Sequence, residues 1–264
     1  MSLRKYDDEG LFVIETYVPG KTYKVIFEDT GLLPLESKER AYADAILDKA
    51  CYSLGKGIGE VHTKGLEYQL VPSSHQISED ILELEDTIAS LNATLQKINP
   101  VLKIDKDSPP IQAIIRAYQS QPGHIAHILG DVHTSNFTYS KKYRSVGFVD
   151  MESLTWNLDL SMRPTGCPSL EYAGMLKRLW YAGLEADLTQ REIENKIKNF
   201  KSGYDSICEL PTALHANRFF ELDATIDGVR GSVNDMIEKR RIDIAKVTQL
   251  LDLLKDHIQS SHLK

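Results

Sequence analysis

Apolar and polar positions along the chain give one strand-like opening, then mostly helical periodicity interrupted by a single compact strand pair. Leu11-Phe12-Val13-Ile14-Glu15-Thr16-Tyr17-Val18 is a β-rich run closed by the turn pair Pro19-Gly20, and a connecting segment is expected to follow. Between Ser37 and His62, Ala41, Ala45, Ile46, Ala50, Leu54 and Ile58 recur at helical spacing, with Gly65 as the stop. A second helix is expected from Ser78 to Pro100, where Ile81, Leu84, Ile88, Leu91, Leu95 and Ile98 alternate steps of three and four. That seam has two readings. Either it packs within its own domain, or it docks a second copy or a partner chain.

Pro109-Pro110 fits a helix start, with Ile111, Ile114, Ile115 and Tyr118 as the apolar face and Pro122-Gly123 as the break. The texture then changes. Ile125 to Leu129, Phe137 to Tyr139 and Val146 to Val149 are strand-like, and the last two flank the polar turn Lys141-Lys142-Tyr143-Arg144, which predicts a small hairpin. Helical pattern resumes over Pro168 to Leu184, and again behind the capping-box pair Thr189 and Glu192 through Phe200. Two further helical segments are expected, Thr212 to Leu222 and Ser232 to Ser260. The fold class is α+β, mainly α-helical.

Charge and cysteine usage narrow the function classes. The 264 residues carry a formal net charge of -7, which argues against a nucleic-acid binder with its basic face. The Lys239-Arg240-Arg241 triplet reads as a solvated helix face. Cys51, Cys167 and Cys208 show no metal spacing, as expected of reduced, buried thiols in a cytoplasmic protein. No stretch approaches the roughly 20 apolar residues of a membrane span, so no membrane partner is expected.

The chemistry-bearing stretch is Leu129 to Phe137, L-G-D-V-H-T-S-N-F, followed by Val146 to Glu152, V-G-F-V-D-M-E. It offers Asp131, His133, Asn136, Asp150 and Glu152 on loops attached to the hairpin. An Asp followed five positions later by an Asn, with a second Asp returned by the hairpin, suits phosphoryl transfer. One carboxylate orients a hydroxyl and accepts its proton, and hard oxygen ligands hold Mg²⁺. A metal-dependent hydrolase using Asp131 and Asp150 would leave Asn136 without a task.

At these residues the chain resembles the aminoglycoside phosphotransferase and choline kinase group of kinase-like enzymes, whose signature H-G-D-x-H-x-x-N is followed by a hairpin ending in I-D-W/F-E. Phe12 to Gly20 resembles that group's hinge segment, Leu54 to His62 its "LaxlH" helix end, and Phe200 to Tyr204 (F-K-S-G-Y) its F-x-x-G-Y element. The resemblance implies a protein kinase-like C-terminal lobe and a small-molecule acceptor with ATP and Mg²⁺. It further implies Asp131 as catalytic base, Asn136 and Asp150 as metal ligands, and Glu15, Thr16, Tyr17 and Val18 beside the adenine. His133 is a metal ligand, an acid–base group or a structural member of its loop; the resemblance implies the last. Glu152 either helps with metal or substrate or anchors the loop. His62 is expected to pack or cap its helix.

Two departures stand out. Leu129 replaces the first signature His, at a position expected to support the loop. The hinge-like segment also falls within the first twenty residues, with no Gly-rich loop ahead of it and with Lys5, Lys21 and Lys24 preceding or following the strand in the wrong context for the phosphate-pairing Lys. The expected division is 1–20 as a remnant strand and hinge and 21–264 as a helical catalytic lobe, with the N-terminal lobe absent or vestigial. On that basis ATP binding is open. The competing expectation is a pseudokinase-like binding module or an inactive fragment of a longer kinase. An acidic cleft, suited to a cationic or polyhydroxy acceptor, is also expected from the net charge.

Overall fold

The computed structural model describes residues 2–5, 12–15, 20–64, 71–125, 128–149, 166–208 and 213–260. Among them the chain forms β1 (Ser2–Lys5), β2 (Phe12–Glu15), β3 (Lys21–Thr22), α1 (Tyr23–Gly31), α2 (Lys38–Lys64), α3 (Ser74–Gln96), α4 (Pro109–Ser120), β4 (Phe137–Ser140) and β5 (Ser145–Phe148). α5 (Pro168–Glu185), α6 (Gln190–Asp205), α7 (Ala213–Glu238) and α8 (Ile244–Ser260) complete it. The architecture is mainly helical with short antiparallel strands, as the periodicity predicts. No helix among the described residues is long and apolar enough to cross a membrane.

The chain opening departs from the expected lone strand. β2 is the core of the β-rich run, and it pairs antiparallel with the unpredicted β1, Ser2 opposite Glu15. The expected connecting segment after Gly20 is instead β3 and α1. Thr22 caps α1, its side chain accepting from Val25 N–H at 3.4 Å, and Tyr23, Phe27 and Thr30 recur on the buried face. Three apolar contacts over nine residues are too few to signal a helix by period alone.

The helical part packs around two apolar clusters. The first joins α3, α4, α7 and α8 through Leu84, Ile88, Leu91, Leu95, Tyr118 and Phe219. Tyr118 stacks on Phe219 with ring centroids 4.2 Å apart, and its hydroxyl donates to Asp80. The α3 seam is therefore internal: its four central residues are buried in this cluster, and Ile81 and Ile98 pack against its edge. A homodimer or partner contact through the Ile81–Ile98 seam finds no exposed apolar row to use. α3 also starts a turn earlier than expected, because Ser73 accepts from Gln76 N–H at 3.2 Å and caps it.

The second cluster joins α1, α2, α5, α6 and the hairpin through Phe27, Leu54, Ile58, Phe137, Tyr172 and Phe200. α5 stands between the clusters, with Ala173 in the first and Tyr172 in the second. The expected face of α2 is buried at Ala50, Leu54 and Ile58 and differs only in the first turns. Leu47 and Cys51 are inside, whereas Ala41 and Ala45 face solvent.

α2 and α6 approach backbone to backbone. A Cβ on Gly55 would lie 2.0 Å from Phe200 O, and one on Gly203 would lie 2.0 Å from Tyr52 O. On the same interface Lys196 is fully buried between Asp44 and Asp48, with Oδ1 of Asp48 at 2.7 Å. Gly203→Ala is expected to lower unfolding free energy by about 2 kcal/mol, since neither backbone can yield locally. Chemical denaturation checks this, and an unchanged midpoint would contradict the close approach.

The expected single helix from Ser232 to Ser260 is broken. α7 runs on to Glu238, Arg240 takes a positive φ of 52°, and Asp243 starts α8 by accepting from Lys246 N–H at 3.1 Å. Lys239, Arg240 and Arg241 thus form an exposed turn rather than a helix face. Of the strand expected at Ile125 to Leu129, Ile125 forms a bridge and Ile128 and Leu129 are irregular, and residues 126 and 127 lie outside the described set. All three cysteines are free thiols. Cys51 is fully buried, and burial pushes the Cys167 thiol up to about 11. Such thiols are inert.

Candidate active site

The hairpin forms where the sequence places it, with Phe137 opposite Phe148, Tyr139 opposite Val146, and Arg144 turning at φ 50°. β3 adds on the other side of β4, Lys21 opposite Tyr139. The 130–136 loop leads into this sheet and is fixed from below and from both ends. Leu129 and Val132 are buried in the second cluster, so the leucine standing in the signature His position anchors the loop by packing. Gly130 adopts φ 92°, a left-handed conformation that a side chain would strain. Lys24 N–H donates to Thr134 O at 3.2 Å, and Val149 N–H donates to Asn136 O at 3.1 Å.

Within the loop the polar side chains converge on one carboxylate. Asn136 Nδ2 donates to Asp131 O at 3.0 Å and to Asp131 Oδ2 at 3.2 Å. Ser135 N–H donates to His133 Nδ1 at 3.2 Å, which makes Nδ1 the acceptor and leaves the proton on Nε2. That Nε2 lies 3.3 Å from Asp131 Oδ2. Oδ2 accepts from Asn136 and lies beside His133 Nε2, while Oδ1 accepts nothing among the described residues, and the side chain is 49% exposed. The arrangement presents one free carboxylate oxygen to a molecule in front of the loop. His133 orients that carboxylate and is itself oriented by the loop backbone.

Asn136 fits a Mg²⁺ ligand for a related reason. Its amide nitrogen is committed to Asp131, which fixes the flip and leaves Oδ1, a hard oxygen, without a partner among the described residues. The bond to Val149 brings the end of the hairpin back beside it. Asp150 and Glu152 lie outside the described residues, as do Thr16, Tyr17, Val18 and Trp156. Glu15 ends β2. Among the described residues no three His, Cys, Asp or Glu gather as a metal cluster. Mg²⁺ needs none, since it is held by one or two protein oxygens plus phosphates and water.

A buried relay that the sequence reading missed ties the loop to three helices. Gly130 N–H donates to Glu171 Oε2 at 2.8 Å, and Glu171 Oε1 lies 3.0 Å from His62 Nε2. His62 Nδ1 lies 2.8 Å from the Tyr204 hydroxyl, so the ring bridges α2, α5 and α6. With Nε2–H donating to the carboxylate, Nδ1 accepts the Tyr204 proton. Burial, with Cys208 nearby, raises the Tyr204 phenol far above its ordinary range and keeps it a donor. Glu171 sits in the first turn of α5, where the helix dipole favours a carboxylate. The signal was present: a lone Glu on an otherwise apolar helix stretch, Glu171-Tyr172-Ala173. His62 does more than the expected packing or capping.

Beside the loop, His133, Thr134 and Ser135 form one wall of a cleft of about 620 Å³ whose other walls are the start of α1, α5 and α7. Among the described residues the expected acidic character is not seen there: Lys24, Lys177, Arg178 and Arg230 line it against Glu185 and Asp227. Glu79, Glu83 and Asp86 of α3 gather in a neighbouring hollow that shares Arg230 with the cleft.

No protein-family model and no curated protein sequence matches the chain. Solved structures resemble it weakly. A glucosamine kinase in complex with glucosamine, ADP and inorganic phosphate shares 13% identity at a TM-score of 0.49, over 92% of this chain and 57% of that one. A second crystal form of glucosamine kinase shares 14% at 0.48, over 92% and 58%. A Plasmodium vivax ethanolamine kinase shares 11% at 0.38, over 99% and 67%. The chain thus spans 57–58% of the length of these glucosamine kinase structures. At such scores the likeness carries no argument about chemistry, which rests on the site itself.

Proposed function

We propose that residues 21–264 form the catalytic lobe of a small-molecule phosphotransferase that moves the γ-phosphoryl group of a nucleoside triphosphate, ATP by resemblance, to an acceptor hydroxyl. The observation that carries this reading is the division of labour in the 130–136 loop. Asp131 keeps Oδ1 free while Asn136 holds Oδ2 with His133 Nε2 3.3 Å away, and Asn136 keeps Oδ1 free while its amide holds Asp131. A base and a hard ligand are thereby set side by side with their working oxygens unspent.

In this reading Asp131 Oδ1 accepts the proton of the acceptor hydroxyl as that oxygen bonds to the γ-phosphorus. The bond from phosphorus to the β–γ bridging oxygen breaks, and its electron pair leaves with the diphosphate. Asn136 and Asp150 would hold Mg²⁺, which supplies charge neutralisation at the phosphates. His133 keeps the carboxylate aimed, Glu152 anchors the chain after the hairpin, and Glu15 to Val18 border the base of the nucleotide. Because little covalent work falls to the protein, positioning by the Glu171 relay matters as much as the loop chemistry.

The test is transfer of label from γ-³²P ATP with Mg²⁺ to a panel of hydroxy compounds. Label in an acceptor, dependent on Mg²⁺, is the expected result. Nucleotide binding with no label in any acceptor would favour the binding-module reading instead.

A further inference from the structure

His133, Thr134 and Ser135, beside the residues that carry the proposed chemistry, line a cleft that is cationic among the described residues. Lys24, Lys177, Arg178 and Arg230 face Glu185 and Asp227 across it, four cations against two carboxylates among the described residues, in a chain of net charge -7. One of those carboxylates is fully engaged by the cations. Asp227 accepts from Lys177 at Oδ2 and from Arg230 at Oδ1, and Arg230 also donates to Ser90 Oγ at 3.1 Å. Burial acts to raise the Asp227 carboxyl, but hydrogen bonds and charge from Lys177 and Arg230 outweigh it and hold it below its ordinary value. It therefore stays ionised and fixes two cationic heads in place rather than repelling an incoming anion.

Lys24 and Arg178 are placed differently. Both are exposed and neither forms an ion pair among the described residues. The Lys24 backbone is tied to Thr134 O, so its side chain springs from the rim of the loop. Free cations on the rim and braced cations on the wall are the arrangement that captures and orients an anionic group. A cationic acceptor would meet repulsion from all four. Asp131 reaches the cleft only through its neighbour: its Oδ2 lies 3.3 Å from Nε2 of His133, which lines the cleft.

We propose that this cleft is the acceptor subsite and that its acceptor is a hydroxy compound bearing a carboxylate or phosphate group, held by Lys24, Lys177, Arg178 and Arg230. The role as acceptor subsite rests on the phosphotransferase reading; the anion specificity does not.

The experiment is calorimetric titration of the full chain with four small hydroxy compounds: glycerol 3-phosphate, glycerate, neutral glycerol and cationic ethanolamine. Each is run alone and again with Mg²⁺ and a non-hydrolysable ATP analogue present. Binding of glycerol 3-phosphate, glycerate or both, with glycerol and ethanolamine silent, is expected, and the stronger of the two anions tells phosphate from carboxylate. Arg178→Ala and Lys24→Ala, exposed positions that leave the fold intact, are each expected to weaken that binding by about tenfold, as loss of one charge-assisted bond does. Equal binding of ethanolamine, or anion binding untouched by both variants, would overturn the proposal. Anion binding that the nucleotide analogue displaces would also overturn it, because the cations would then belong to the donor's phosphates. Anion binding without any phosphoryl transfer would leave the anion site standing and remove the phosphotransferase reading alone.

Discussion

Asp131→Asn is expected to lower phosphoryl transfer by about 10³-fold, within the range that a general base contributes, while leaving the fold and nucleotide affinity nearly unchanged. The geometry explains the separation. The Asp131 side chain is half exposed, and an amide oxygen in its place can still accept from Asn136. What is lost is the free anionic oxygen that takes the proton. Initial rates at saturating acceptor, set beside thermal melting of the same preparation, check both halves. A variant that retains transfer within tenfold of the parent would show that Asp131 is not the base, whatever its position.

Glu171→Ala is expected to act in the other order, on stability first and on rate through it. Its carboxylate is 4% exposed and is the shared acceptor of Gly130 N–H and His62. Removing it leaves two buried donors unpaired, and the loss is expected to be about 3 kcal/mol of unfolding free energy, since hydrogen bonds to charged groups contribute about 1.5–3 kcal/mol each. Gly130 holds a left-handed conformation that this bond secures, so the loop should loosen and Asp131 with it. Glu171→Gln is the informative companion. Its oxygen can keep the Gly130 bond while His62 shifts its proton to Nδ1 and donates to Tyr204, so more than half of the stability should return. Denaturant midpoints and amide exchange at Gly130 read these effects. Loss of less than about 0.5 kcal/mol in the alanine variant would mean that the relay is incidental to the loop.

Much of this was legible in the residues because the signals were local. The hairpin announced itself through two alternating runs around a polar turn, and the D-x-H-x-x-N spacing placed Asp131, His133 and Asn136 on one loop before any contact was known. The F-K-S-G-Y element turned out to have a physical reason for each of its marked residues. Phe200 fills the core, Gly203 admits the Tyr52 carbonyl, and Tyr204 reaches His62.

What was not legible depended on partners far apart in sequence. Glu171 lies 41 residues from Gly130 and 109 from His62, and no spacing rule joins them. The cleft cations come from α1, α5 and α7, so charge summed along the chain did not reveal that they gather. The mismatch in the first turns of α2 has a simple origin: alanines score as apolar, but Leu47 and Cys51 offer more area to bury than Ala41 and Ala45. α1 escaped notice because its helix is short and its cap, Thr22, sits in a stretch of mixed polarity.

Whether the Asn136 side of the loop holds Mg²⁺ and nucleotide phosphates is read by calorimetric titration with Mg²⁺ and a non-hydrolysable ATP analogue. Binding at micromolar strength is expected, lost with chelator and weakened at least tenfold in Asn136→Ala. No binding at millimolar nucleotide, or binding indifferent to both Mg²⁺ and Asn136, would contradict that expectation.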